Sequence, residues 1–184
     1  MTVTRGDMKM TLYMVFDVES IGLHGEGFAA GYVVIDENGN EKQSGFCACD
    51  PKYATGRGVN HDWIRKNIPE MHYATGDVVY LRRWFWHAWR QWQNMGATLW
   101  ADCAWPVEAR FLAQCVDDQV DERWVVGPYP LHEIATLALA TGHDPLATNE
   151  RLPHELPAHD PLNDARQSAR LLLQYLGELQ SARV

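Results

Sequence analysis

Cysteine is scarce and unpatterned in this 184-residue chain: Cys47, Cys49, Cys103 and Cys115 form no CxxC pair and have no histidine at zinc spacing. That scarcity argues against a zinc ribbon or a disulfide scaffold and predicts reduced, mostly buried thiols in a reducing cytoplasm. No apolar run approaches the roughly 20 residues of a membrane span. Met1 to Met10 lacks the apolar centre of a signal peptide, so neither membrane insertion nor export is expected. Positive charge is short as well: 16 Lys+Arg stand against 24 Asp+Glu, a net charge of −8. Grip on a long polyanion comes from neutralising phosphates with Lys and Arg, so this balance excludes a broad basic face that packages or reads DNA. It leaves room for an enzyme that meets phosphate through metal ions.

What is present fits one globular domain over residues 1–184, with 46% hydrophobic and 22% charged residues and no repeats or linkers. Residues 11–19, 28–36 and 42–49 read as strands, and Asn38-Gly39 predicts a type I′ hairpin between the second and third. Gly56 to Asn60 reads as an exposed loop before a short helix from His61 to Asn67. Asp77 caps a long helix to Asn94 that Gly96 ends. Residues 97–102 form a short strand, and Pro106 opens a helix carrying Val107, Phe111, Leu112, Cys115 and Val116. Residues 122–127 read as another strand, Pro130 opens a helix to Ala140, and a Pro-rich stretch over 143–158 leads to a last helix, Pro161 to Gln180. This order implies an α/β layered domain with a mixed sheet.

Two clusters carry chemistry. Asp17 and Glu19 lie two apart on the first strand, so their carboxylates share a face and repel. A divalent ion with a taste for hard oxygen ligands, Mg2+ or Mn2+, relieves that repulsion; the plain alternative is two solvated acids where a strand meets a loop. Near the other end stand His159 and Asp164. Pro161 keeps Asp160 out of helical geometry, so His159 falls in the lead-in loop and Asp164 in the first turns of the helix. Histidine suits general-base work near neutral pH, although a lone surface histidine reads the same way.

Taken together, Asp17-Val18-Glu19-Ser20-Ile21-Gly22-Leu23 resembles the first motif of the DEDD 3′→5′ exonucleases. His159-x4-Asp164, followed by Ala165, resembles the third motif of their histidine-containing branch, which holds proofreading subunits, oligoribonucleases and RNase T. The resemblance implies an RNase H-like three-layer fold, with the first three strands antiparallel and helices on both faces. The middle motif departs from the pattern. Glu108 sits in the right first turn, with Phe111 and Leu112 at the family's offsets, whereas Asp102 has the usual residue type six positions early; Glu108 is preferred, and Asp102 stays open.

By this resemblance Asp17, Glu19, Asp164 and the middle acid share two divalent ions, and His159 is the base for in-line attack of water on a terminal phosphodiester. Ser20, Gly22 and Leu23 line the terminal nucleotide, Leu23 against its base, and nucleoside 5′-monophosphates leave. Single-stranded or short 3′ ends are the implied substrate, RNA before DNA, with low processivity. The alternatives are a deoxyribonuclease of the same family and a weakened scaffold that only binds.

Other features tempt less. Leu81, Phe85, Ala88, Trp89 and Trp92 form a core stripe on the tryptophan-rich helix. Trp84 and Trp86 fall partly off it beside Arg82, Arg83 and Arg90, which admits base stacking or a homodimer interface. His61-Asp62 lacks the rest of an HD-type phosphohydrolase pattern, which leaves Asp62 as a helix cap. Arg166 and Arg170 flank the third motif, either toward phosphate or toward solvent.

Overall fold

In the computed structural model, residues 10–182 are described; apart from Met10, the polar N-terminal stretch lies outside the described residues. Strand β1 spans Leu12–Ser20, β2 Gly27–Asp36, β3 Glu41–Ala48, β4 Thr98–Ala101 and β5 Leu131–Glu133. Helices α1 (Gly58–Asn67), α2 (Val78–Asn94), α3 (Val107–Asp117), α4 (Val120–Arg123), α5 (Ile134–Ala140) and α6 (Pro161–Ser181) connect or cover them. The sheet order is β3-β2-β1-β4-β5. Neighbours β1, β2 and β3 run antiparallel, while β4 is parallel to both β1 and β5. The protein is thus an α/β structure with a mixed five-stranded sheet. Among the described residues no helix is long and apolar enough to cross a membrane.

The alternation of β1 builds two cores. Leu12, Met14, Phe16 and Val18 face α2 and α3, packing with Leu81, Phe85, Trp89, Phe111 and Leu112. Val15 faces the opposite way, into a second core with Val33, Ile35, Ile134 and the α6 residues Ala165, Ala169 and Leu172. Because successive strand side chains alternate, Asp17 and Glu19 continue the Val15 row and come out on the α6 side of the sheet. A third, smaller cluster, including Ile21, Phe28, Ala48 and Ile64, seats α1 beside the end of β1.

Several local expectations change. The β2–β3 hairpin forms, but not as a type I′ turn: of Asn38 and Gly39 only Gly39 has positive φ, at 83°. Its N–H donates to the Asp36 carbonyl at 3.0 Å. The Asp36 carboxylate accepts from the Asn38 and Asn40 N–H groups, both at 2.9 Å, so a side chain fixes the turn that dipeptide propensity was expected to fix. Helix α1 starts at Gly58, inside the expected loop, which makes Asp62 an interior residue paired with Arg65 and not a cap.

Residues 122–127 are not a strand: they include the end of α4, and the fifth strand is instead Leu131–Glu133, where a helix was expected. The reason is Arg123, only 3% exposed. Its guanidinium donates to the Cys115 carbonyl at 2.5 Å and lies 4.6 Å over the Trp86 ring, which anchors the segment through a cation and leaves Trp124 and Val125 exposed. Three residues, Leu131 to Glu133, are too short to display strand periodicity.

The same contact removes Trp86 from any stacking role, since it is buried. Trp84 is half-buried against Tyr32, with ring centroids 5.7 Å apart. Arg82 is also buried rather than free beside the tryptophans. Three of the four cysteines are buried, and Cys103 is exposed.

Candidate functional site

The site begins where β1 ends. Asp17 pairs in register with Gly31 of β2, and that glycine has a positional reason. A Cβ there would lie 2.3 Å from the Leu162 nitrogen and 2.4 Å from the Pro161 carbonyl carbon. The bare backbone therefore lets the N-terminus of α6 press onto the sheet next to Asp17. Asp160 caps that helix, accepting from the Leu162 and Asn163 N–H groups at 3.0 and 3.1 Å. Asp164, in the first turn, is thereby delivered to the acids of β1.

Carboxylates converge from three elements. Burial pushes Asp17 well above the usual carboxylate range, and repulsion from Glu108, Glu19, Asp164 and Asp102, in falling order, adds to it. Glu19 is raised to about 8 by burial and then by Asp164, Glu108 and Asp160. Glu108, 8% exposed at the start of α3, is raised to about 7 by burial, while backbone N–H groups of Glu108 and Val18 draw it partly back. Asp102 is exposed. Its pKa is raised by burial of the carboxyl, and its strongest charged neighbour is Glu133, with Asp164 second. Of the two middle candidates, Glu108 lies inside the cluster and Asp102 at its edge.

His159 stands in the loop before α6, as its spacing predicts, with φ of 60°. The loop is held by its own backbone: the His159 N–H donates to Asp164 Oδ2 at 3.1 Å. Nδ1 lies 3.6 Å from Glu19 Oε1, and one ligand-type atom each from Glu19, His159 and Asp164 fall within 4.8 Å of one another. The imidazole is half-exposed and meets the Trp63 ring edge-on, with centroids 5.5 Å apart. It is therefore steered toward the carboxylates on one side and open to solvent on the other.

Beyond β1 the chain turns through Gly22 at φ 69°. The Ser20 hydroxyl donates to the Gly22 carbonyl at 2.9 Å, and Asn60 Nδ2 donates to the Ile21 carbonyl at 3.2 Å. Leu23, 65% exposed, projects from this turn. Ile21, Leu23 and His24 line one wall, and Arg57, Val59 and Asn60 the other, of a cleft of about 360 Å³. A buried clamp fixes the turn: Arg82 donates to Glu26 Oε1 at 2.7 Å and grips both oxygens of Asp118. Glu26 in turn accepts from the N–H and hydroxyl of Thr55.

The acid set fits a hard divalent cation. Several carboxylates, crowded enough to hold one another's protons, supply oxygen donors whose repulsion such a cation relieves. Arg166 and Arg170 do not join the site, because Arg166 pairs with Glu41 and Arg170 with the fully buried Glu155. Three residues at or near the site escaped the sequence reading: Trp63 and Arg57, hidden in an expected loop and short helix, and Arg151, in the Pro-rich stretch. Arg151 Nη1 donates to Asp164 Oδ1 at 2.6 Å. No periodicity marks these positions; only the closeness of α1 and the 151–155 turn to α6 and β1 does. No protein-family model matches this chain, and no curated protein matches it either.

Proposed function

We propose that this protein is a metal-dependent 3′→5′ exonuclease of RNase H-like fold, acting on the ends of single-stranded or short nucleic acid. The observation that carries the reading is the meeting of Asp17, Glu19, Glu108 and Asp164, from three separate elements, beside the half-exposed imidazole of His159. A sheet with its first three strands antiparallel, two parallel additions and helices on both faces agrees with that fold. Asp17, Glu19, Glu108 and Asp164 would hold Mg2+ or Mn2+, two ions by family resemblance. Bound there, the metal supplies positive charge against the phosphodiester and its leaving oxygen.

The chain's own residues do the rest. His159 accepts the proton of the attacking water, and the edge of Trp63 together with the His159 N–H bond to Asp164 restricts where the ring can go. Leu23 offers an apolar surface to the terminal base, and Arg57, on the opposite wall of the cleft, offers a cation to the backbone. The net charge of −8 favours a chain end held briefly over a duplex held along its length. RNA is proposed ahead of DNA. The scaffold alternative loses one of its supports, because the tryptophan-rich helix spends Trp86, Trp89 and Trp92 on the core.

Digestion of 5′-labelled RNA and DNA oligonucleotides with Mn2+, Mg2+ or EDTA tests the reading. The expected result is a ladder shortening from the 3′ end, absent in EDTA and in Asp164→Ala. Internal cuts, or indifference to chelator, would overturn it.

A further inference from the structure

The arginine at Asp164 has no place in that mechanism, yet it is built in with care. Arg151 Nη1 donates to Asp164 Oδ1 at 2.6 Å and to the Glu155 carbonyl at 2.9 Å. Glu155 cannot drift. Its carboxylate, fully buried, accepts from Arg170 Nε at 2.6 Å and Nη2 at 2.9 Å and from the Leu152 N–H at 2.9 Å. The turn that carries Arg151 is thus bolted to α6 beyond Asp164, and the guanidinium is aimed by the helix whose acid it contacts. The Arg151 side chain is 22% exposed and that of Asp164 15%, so the pair is shielded from much of the solvent screening that weakens surface ion pairs.

Resting on the metal-site reading above, we propose that Arg151 is an internal cation that competes with the divalent ion for Asp164 and so sets how tightly the site loads. Asp164 already gives Oδ1 to Arg151 and Oδ2 to the His159 N–H. A second cation must share an oxygen with the guanidinium or displace it, against like-charge repulsion at contact range. Loading is then weak, and the site answers to changes in metal concentration instead of staying saturated. Once displaced, the guanidinium is left with free donors at the edge of the site, where an anionic substrate is the natural partner.

Titration calorimetry of the full chain with Mn2+ tests this. Removing the charge in Arg151→Gln is expected to tighten Mn2+ binding at least about tenfold, and Arg151→Lys, which keeps the charge, is expected to stay within about threefold of wild type. Arg151→Met carries the same test if the Gln variant folds poorly. Unchanged or weaker binding in the charge-free variants overturns the competition and leaves the metal site standing. Equal tightening in the Lys variant also overturns it, because charge is then not the cause. If neither wild type nor the charge-free variants bind Mn2+ at millimolar concentration, the metal reading fails along with it.

Discussion

Replacing Glu108 by glutamine makes the charge cluster measurable without substrate. A carboxyl whose pKa rises on folding binds its proton more tightly in the native state than in the unfolded chain. Its contribution to stability is therefore fully present below the unfolded value and is lost as pH rises toward the folded one. Between an ordinary 4.5 and the value of about 7 for Glu108, that loss amounts to roughly 3 kcal/mol by about pH 8. The substituted amide keeps the volume and an acceptor oxygen for the Val18 and Glu108 backbone N–H groups but carries no charge. In EDTA near pH 8 the Glu108→Gln variant is expected to be more stable than wild type, with Tm about 5–10 °C higher for a chain of this size. Near pH 5 the gain is expected to shrink to about 1 kcal/mol or less, because native Glu108 is then protonated. Saturating Mn2+ is expected to narrow or reverse the order, since wild type has the better ligand. Thermal unfolding by circular dichroism across pH, with EDTA and with Mn2+, reads all three. A variant no more stable than wild type near pH 8, or a gain that ignores pH, would refute the idea that Glu108 sits ionised at a cost inside an acid cluster.

Other outcomes follow from the same geometry. In Asp17→Asn, the calorimetric Mn2+ binding expected of wild type is expected to be absent, and so is the rise in Tm expected on adding Mn2+. Glu108→Ala is expected to lower nuclease activity at least about a hundredfold, and Asp102→Ala less than about fivefold; the opposite ranking in the oligonucleotide digest makes Asp102 the middle ligand. Gly31→Ala puts a methyl group into the α6 backbone at Leu162, so Mn2+ affinity is expected to fall while far-UV circular dichroism stays native-like; unchanged affinity would mean that α6 position does not set the site. Trp63→Ala removes the ring edge from His159 and is expected to lower kcat more than it changes metal affinity.

Much of the site was legible because its parts are local. Asp17 and Glu19 share a face by strand period alone, and Pro161 assigns His159 to a loop and Asp164 to a helix by backbone sterics. The boundaries of α2 could be read from Asp77, whose carboxylate accepts from the Val79 N–H at 2.8 Å, and from Gly96 beyond its end. These are interactions between residues a few positions apart, so residue types and spacing suffice to predict them. Where long-range contact competes with propensity, the reading failed. Val125 and Val126 look like strand, but the burial of Arg123 under Trp86 holds that segment out of the sheet. Asn38-Gly39 looks like a two-residue turn, but the Asp36 carboxylate builds a different one.

Composition, spacing and period by themselves determined that the chain folds as layered α/β and that carboxylates stand near both ends of the sequence. Only the tertiary structure decided how those ends meet. Gly31 lets α6 settle against Asp17, α3 turns Glu108 inward and leaves Asp102 at the rim, and the buried Glu155 aims Arg151 at Asp164. Arg151 and Asp164 are 13 positions apart, and Gly31 and Leu162 are separated by most of the chain, yet each pair is packed within a few ångströms. Spacing rules do not reach that far, because the free energy of such contacts belongs to the assembled core and not to any local stretch of sequence.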